Sequence, residues 1–207
     1  MTARRDHAAC KASRIPWPSR AVRCRMHGMR SRTRAIGIRA VASLACLGCA
    51  ASPASTQTPR SQLAVVSQWV GGTRIDIMYR RPVARGRELF GALVPWGHIW
   101  TPSADSAARI TLSTPIEVNG SRLAAGSYSI WAIPDSTTWT VVFNSVPAVF
   151  HLRYPGRDDV LRVHATPTRG EHVETLMFTF PVVDADSARL ELRWGRTIVP
   201  LSIRAKP

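Results

Sequence analysis

Cysteine is missing from the last three quarters of the chain: Cys10, Cys24, Cys46 and Cys49 are the only four among 207 residues. A disulfide framework beyond Cys49 is therefore excluded, and that part must hold together by its core. Cys46 and Cys49 have CxxC spacing, but no second pair and no neighbouring histidine accompanies them, so no zinc site or other metal centre is expected. After residue 60 no segment of useful length has helical period, and no apolar run reaches the roughly 20 residues of a membrane-spanning helix. The signatures GxSxG, SxxK and HExxH are absent, so nothing announces a serine or metallo-hydrolase, and no cofactor motif appears.

Acidic residues are also scarce, 13 against 28 basic ones, for a net charge of +15. That imbalance suggests nucleic acid until it is divided along the chain. Residues 1–59 hold 11 basic residues and one acidic (+10), leaving 17 and 12 (+5) for residues 60–207. A net of +5 without aromatic platforms set among basic residues in a recognised motif argues against nucleic-acid binding.

From Met29 the chain reads as an export signal. Arg30, Arg32, Arg34 and Arg39 form a basic region, and "AVASLACLGCAA" supplies a short apolar run. Residues 29–51 are predicted as a signal peptide, 52–60 as a polar tether, and 1–28 as a disordered upstream extension, with Met29 or Met26 the natural start. The expected location is periplasmic or secreted. "CLGC" is similar to a bacterial lipobox with Cys49 as the acylated residue, although Cys46 stands where leucine is usual; membrane contact is expected only through such an anchor.

Residues 61–205 alternate in period two. "TRIDIMYR" sets Ile75, Ile77 and Tyr79 against Arg74, Asp76 and Arg80, and the pattern recurs in "ARITLST", "TWTVVFNS", "VLRVHA" and "TLMFTF". Gly71-Gly72 and Asn119-Gly120 read as tight turns, and Gly195 as the turn of a last hairpin, "SARLELRWGRTIVPLSIR". The expectation is a single all-β domain, an antiparallel β-sandwich or barrel-like sandwich of about eight to ten short strands.

One stretch escapes the alternation: "GRELFGALVPWGHIWTPSAD", Gly86 to Asp105, with Arg80, Arg81, Arg85 and Arg87 at its start. Its glycines and prolines suit an irregular loop, with Phe90, Leu93, Trp96 and Trp100 pinning it to a core. The same mixture could line a pocket: Arg81, Arg85, Arg87, Trp96, His98 and Trp100 are the candidate ligand-binding residues, the guanidinium forks suiting carboxylate or phosphate. His98 with Asp105 is the candidate acid/base pair. Asp158-Asp159 and Asp184/Asp186 read as solvated turn residues, and His164 and His172 as solvated, the latter in a "TRGEH" loop.

"RRPVARGRELFGALVPWGHIW", "TPIEVNGSRLAAGSYSIWAIPDSTTWTVVFN" and "DDVLRVHATPTR" together resemble the DUF2911 family of exported bacterial proteins of unknown function, over roughly residues 60–205. The resemblance implies a compact all-β envelope domain and no established reaction. Members usually follow the tryptophan with Arg-Thr-Gly-Ala-Asn-Glu-Ala, where this chain has Thr101-Pro102-Ser103-Ala104-Asp105-Ser106-Ala107. Chemistry done by that arginine and glutamate would be lost here; a structural ion pair could be replaced by Asp105 with a nearby arginine. The function expected is a small-ligand-binding or structural envelope module, with a His98/Asp105 hydrolase and a protein-interaction module as alternatives. An unidentified small molecule or envelope protein would be its partner.

Overall fold

A computed structural model describes residues 60–205, and the segments predicted as signal peptide and upstream extension, with the expected lipidation residue Cys49, lie outside the described residues. Ten strands and no helix occur there: β1 (Gln62–Val70), β2 (Thr73–Arg81), β3 (Ala108–Leu112), β4 (Ile116–Val118), β5 (Ser121–Leu123), β6 (Gly126–Ile133), β7 (Trp139–Asn144), β8 (Asp159–Ala165), β9 (Thr168–Val183) and β10 (Ser187–Ala205). They form a six-stranded sheet in the order β1-β2-β3-β6-β7-β8 and a four-stranded sheet in the order β5-β4-β10-β9. Every pairing is antiparallel. The two sheets pack as a sandwich and do not close into a barrel.

The period-two pattern dictates which face is buried. Ile75, Ile77 and Tyr79 of β2, Ile110 of β3, and Trp139, Val141 and Phe143 of β7 point inward. Leu176 and Phe178 of β9 and Leu190, Leu192, Trp194, Leu201 and Ile203 of β10 meet them from the smaller sheet. Tyr79 crosses between the sheets: its ring stands edge-on to Phe178 at 4.9 Å, and its hydroxyl accepts the Phe178 N–H at 3.1 Å. A donor on an edge strand is thereby satisfied inside the core.

The tight turns form as their residues require. Asn119 and Gly120 both have positive φ, 47° and 79°, as a type I′ turn demands. Gly195 does not turn the chain. β10 runs unbroken from Ser187 to Ala205, and Gly195 (φ 57°) lies between two register shifts against β9. From Arg193 to Gly195 and from Gly195 to Thr197, β10 advances two residues while β9 advances four, so the extra residues of both shifts lie on β9 and the ladder continues past the left-handed glycine. The expected final hairpin is thus one long, kinked strand, and its partner β9 absorbs the "TRGEH" stretch read as a loop.

A second apolar cluster sits on the outer face of the larger sheet, where Trp131 and Val142 are covered by Ile99, Val149 and Tyr154. Asp159 belongs to it and is no solvated turn residue. Its carboxylate accepts from Asn144 Nδ2 at 2.9 Å, from Arg162 Nη2 at 2.7 Å and from the Tyr154 hydroxyl. Trp131 stacks obliquely on Tyr154 at 5.1 Å and donates to Ser129 Oγ at 2.9 Å. Residues 145–158 are held to the sheet by this network.

Candidate functional site

The irregular stretch between β2 and β3 is fastened across one end of the sandwich. Val94 N–H donates to the Leu89 carbonyl (2.7 Å), Gly91 N–H to Val94 (2.9 Å), and Gly97 N–H to Pro134 (2.8 Å). Trp100 exchanges both backbone hydrogen bonds with Ala132 of β6. Phe90 is the hub of the side-chain contacts: its ring lies 4.8 Å from Trp139, 6.0 Å from Trp100, 6.1 Å from Trp194 and 6.3 Å from Trp96. Trp100 and Trp194 stack at 6.0 Å with planes 9° apart. Such pairs contribute roughly 0.5–1.5 kcal/mol each beyond their area.

Gly91 is required by this packing. Its φ is 94°, and a Cβ there would lie 2.5 Å from Trp96 Nε1. The indole edge therefore occupies the space that a side chain would take.

The four arginines at the start of the stretch divide into two pairs. Arg80 and Arg81 are tied into the fold: Arg80 Nε reaches Asp105 Oδ2 at 3.6 Å, and Arg81 Nε donates to the Leu176 carbonyl at 3.0 Å. Arg85 and Arg87 sit on a turn closed by Arg87 N–H to the Ala84 carbonyl (3.2 Å), with Arg85 and Gly86 both left-handed (φ 54° and 68°). Arg87 donates Nε to Ala84 O (2.9 Å) and Nη2 to Val83 O (2.7 Å). Glu174 of β9 anchors the turn, accepting the Arg85 N–H on Oε1 and facing His172 Nε2 at 3.0 Å with Oε2. The hydrogen bond from His172, then that from Arg85, holds the Glu174 carboxyl below its ordinary pKa.

Two cavities open on either side of Arg87 and Trp194. The first, the loop cavity, measures about 490 Å³ and is walled by Leu93, Val94, Trp100, Leu152 and Trp194, with Arg60, Arg85 and Arg87 at hand. Among the described residues no carboxylate lines it. Leu152 is 76% exposed and Leu93 42%, apolar side chains left in water beside the cavity. The second, the ribbon cavity, measures about 440 Å³ and lies against the β9–β10 ribbon, with Phe90, Trp96 and Trp194 as apolar wall and Arg87, Arg169, His172 and Arg196 around it.

Of the six candidate ligand residues, Arg85, Arg87 and Trp100 line the loop cavity, Arg87 and Trp96 the ribbon cavity. Arg81 and His98 line neither of them. His98 is exposed and its Nδ1 faces the Trp96 carbonyl at 2.9 Å, whereas Asp105 is exposed beside Arg80. No hydrogen bond joins His98 to Asp105. Among the described residues no group of three or more His, Cys, Asp or Glu could hold a metal ion.

Arg169, His172 and Arg196 are not legible as cavity residues in the sequence because they meet through the register shifts between β9 and β10, where Gly195 faces Val173 and Thr197 faces Arg169, and local alternation does not record such shifts. The position that carries arginine in the pattern of the resembled family holds Thr101, which is buried and stitches two strands: its hydroxyl donates to the Ile130 carbonyl (2.7 Å) and accepts the Ala108 N–H (3.0 Å). Asp105 does pair with a neighbouring arginine, Arg80, though its side chain is 63% exposed and the pair contributes little.

No curated protein and no solved structure matches the chain. A family model described as "Protein of unknown function (DUF2911)" matches residues 61–203, and with most of its length covered by that model the chain belongs to the DUF2911 family.

Proposed function

We propose that this chain is an exported small-ligand-binding module of the cell envelope, and that the loop cavity takes an amphipathic monoanion, a carboxylate or sulfonate on an apolar body. One observation carries the reading: Arg60, Arg85 and Arg87 border a cavity walled by Trp100, Trp194, Val94, Leu93 and Leu152 and lined by no carboxylate among the described residues. Binding sites are typically concave, mostly apolar and equipped with a few placed polar groups. Guanidinium groups supply the charge match, and the indoles supply the surface for the apolar part. Export rests on the basic-then-apolar segment at residues 29–51, and attachment to a membrane on Cys49.

Titrating the full chain with 1-anilinonaphthalene-8-sulfonate or decanoate, followed by tryptophan fluorescence, tests it. Saturable binding that is weakened about tenfold or more by Leu152→Asp supports the cavity. Binding absent from the wild type, or indifferent to Leu152→Asp, defeats the reading. A hydrolase built on His98 and Asp105 gains no support from their placement.

A second reading, a protein-interaction module, is favoured by β1. This edge strand, "QLAVVSQWV", carries no charge, and Leu63, Val65 and Trp69 are 55%, 54% and 59% exposed along one of its faces. Natural edge strands usually carry charge, proline or cover against pairing. Size measured by light scattering across a wide concentration range, with Val65→Lys for comparison, decides it: a wild type that stays monomeric throughout removes this reading.

A further inference from the structure

The ribbon cavity is distinct from the site proposed above and has a different character. Arg169 of β9 and Arg196 of β10 lie around it with Arg87, and none of the three has a carboxylate within ion-pair distance among the described residues. Glu88 is the one acidic residue lining it, and His172, also on its wall, is engaged by Glu174. Arg87 is already held rigid by two backbone carbonyls, so its remaining N–H groups are presented in a fixed direction. The concentration of cations is a product of backbone irregularity. Thr197 pairs with Arg169 across the ribbon, and register shifts on both sides of Gly195 bring three consecutive β10 residues to the same cavity. Leu89 packs where a Gly195 side chain would stand, its Cδ1 2.8 Å from the position of a Cβ, so the irregular stretch of the ribbon is packed against the loop that also delivers Arg87.

We infer that the ribbon cavity is a second ligand site, for a multiply charged oxyanion, a phosphoryl or pyrophosphoryl group, carried on a flat or apolar body. Three guanidinium groups around one cavity match several oxygens of such a group, whereas a single carboxylate would leave cations unmatched. Trp96, which is 44% exposed, and Phe90 provide the apolar wall for the body of the ligand.

Calorimetric titration of the full chain with sodium pyrophosphate at low ionic strength tests the inference. Saturable one-to-one binding is expected, weakened about tenfold or more by Arg169→Ala and again by Arg196→Ala, and abolished by the pair. Leu152→Asp, on the other cavity, and Arg122→Ala, on β5, should leave it unchanged. Absence of saturable binding in the wild type overturns the site, and so does an equal loss in Arg122→Ala, which would mark mere attraction to net charge. Circular dichroism confirms that each variant folds; if Arg196→Ala does not, Arg169→Gln on the exposed part of β9 carries the test alone. Flotation with phosphatidylcholine vesicles, with and without phosphatidic acid, separates sources of the group: capture only by the acidic vesicles assigns it to a lipid headgroup, and pyrophosphate binding without capture assigns it to a soluble ligand. Because Leu152→Asp and Arg169→Ala touch different cavities, failure of this site and failure of the loop-cavity reading are separable.

Discussion

Two irregular segments are laid on this sandwich, and they are fastened by opposite means. Residues 82–107 are held by rings, with Phe90 touching four tryptophans, and the guanidinium groups of Arg85 and Arg87 have no carboxylate within ion-pair distance among the described residues. Residues 145–158 are held by a closed polar network in which Asp159, Tyr154, Asn144 and Arg162 satisfy one another. At the centre of the second network the Asp159 carboxylate is matched by Arg162. The proposed ligand sites lie beside the first segment, in cavities lined by Arg85 and Arg87.

The contrast breaks most readily at Phe90. Phe90→Ala should destabilise the domain by about 3 kcal/mol, within the usual range for losing a packed phenylalanine, and should abolish ligand binding as well. Chemical denaturation reads the first effect and fluorescence titration the second. If Phe90→Ala costs less than about 1 kcal/mol, the loop is not pinned by that ring.

Asp159→Asn attacks the other segment. It leaves Arg162 and Tyr154 without their charged acceptor and should cost about 2 kcal/mol, while binding in both cavities stays intact. The sign with pH follows from the carboxyl group. Burial pushes its pKa up, but hydrogen bonds from Asn144, Tyr154 and Arg162 outweigh burial and hold it below the ordinary value of 3.8. Its contribution is therefore present above that value and lost as pH falls through the lowered one. Acid unfolding that is unchanged in Asp159→Asn would contradict this.

Tyr154 sharpens the same point at the alkaline end. Burial first, then the Asp159 carboxylate, raises its pKa from 10.0 to about 12. Between those values the unfolded chain loses the phenolic proton and the folded chain keeps it, so stability falls as pH rises through that window. Tyr154→Phe should flatten the decline, which a series of denaturation midpoints between pH 9 and pH 12 would reveal.

The smallest effect separates holding from receiving within one residue. Arg85 is left-handed at φ 54°, a conformation that costs a non-glycine residue about 1 kcal/mol. Arg85→Gly should stabilise the domain by roughly 0.5–1 kcal/mol and weaken binding of the amphipathic anion several-fold. A variant that is both more stable and fully competent would remove Arg85 from the site.

Much of the fold was legible because alternation is a direct consequence of strand geometry. Ile75, Ile77 and Tyr79 face inward as their spacing requires, and Asn119-Gly120 turns as its residues allow. Gly195 does not turn the chain because a left-handed glycine can also lie inside a continuous strand, and only the pairing with β9 decides between the two. Asp159 was misread for a related reason: its partners Asn144 and Tyr154 come from other segments of the chain. The site was half legible. Composition singled out Arg85, Arg87, Trp96 and Trp100 in one stretch, but Arg169 and Arg196 reach their cavity through a kink that no local pattern records.

The two carbonyls that grip Arg87 have a thermodynamic consequence. A free arginine side chain gives up about 2 kcal/mol of rotamer freedom when a ligand fixes it. Here much of that freedom is already lost on folding, when Val83 and Ala84 accept two of its N–H groups. An anion bound in either cavity as proposed above would meet a cation that is already aimed, and its affinity would be correspondingly less diminished by the ordering of the protein.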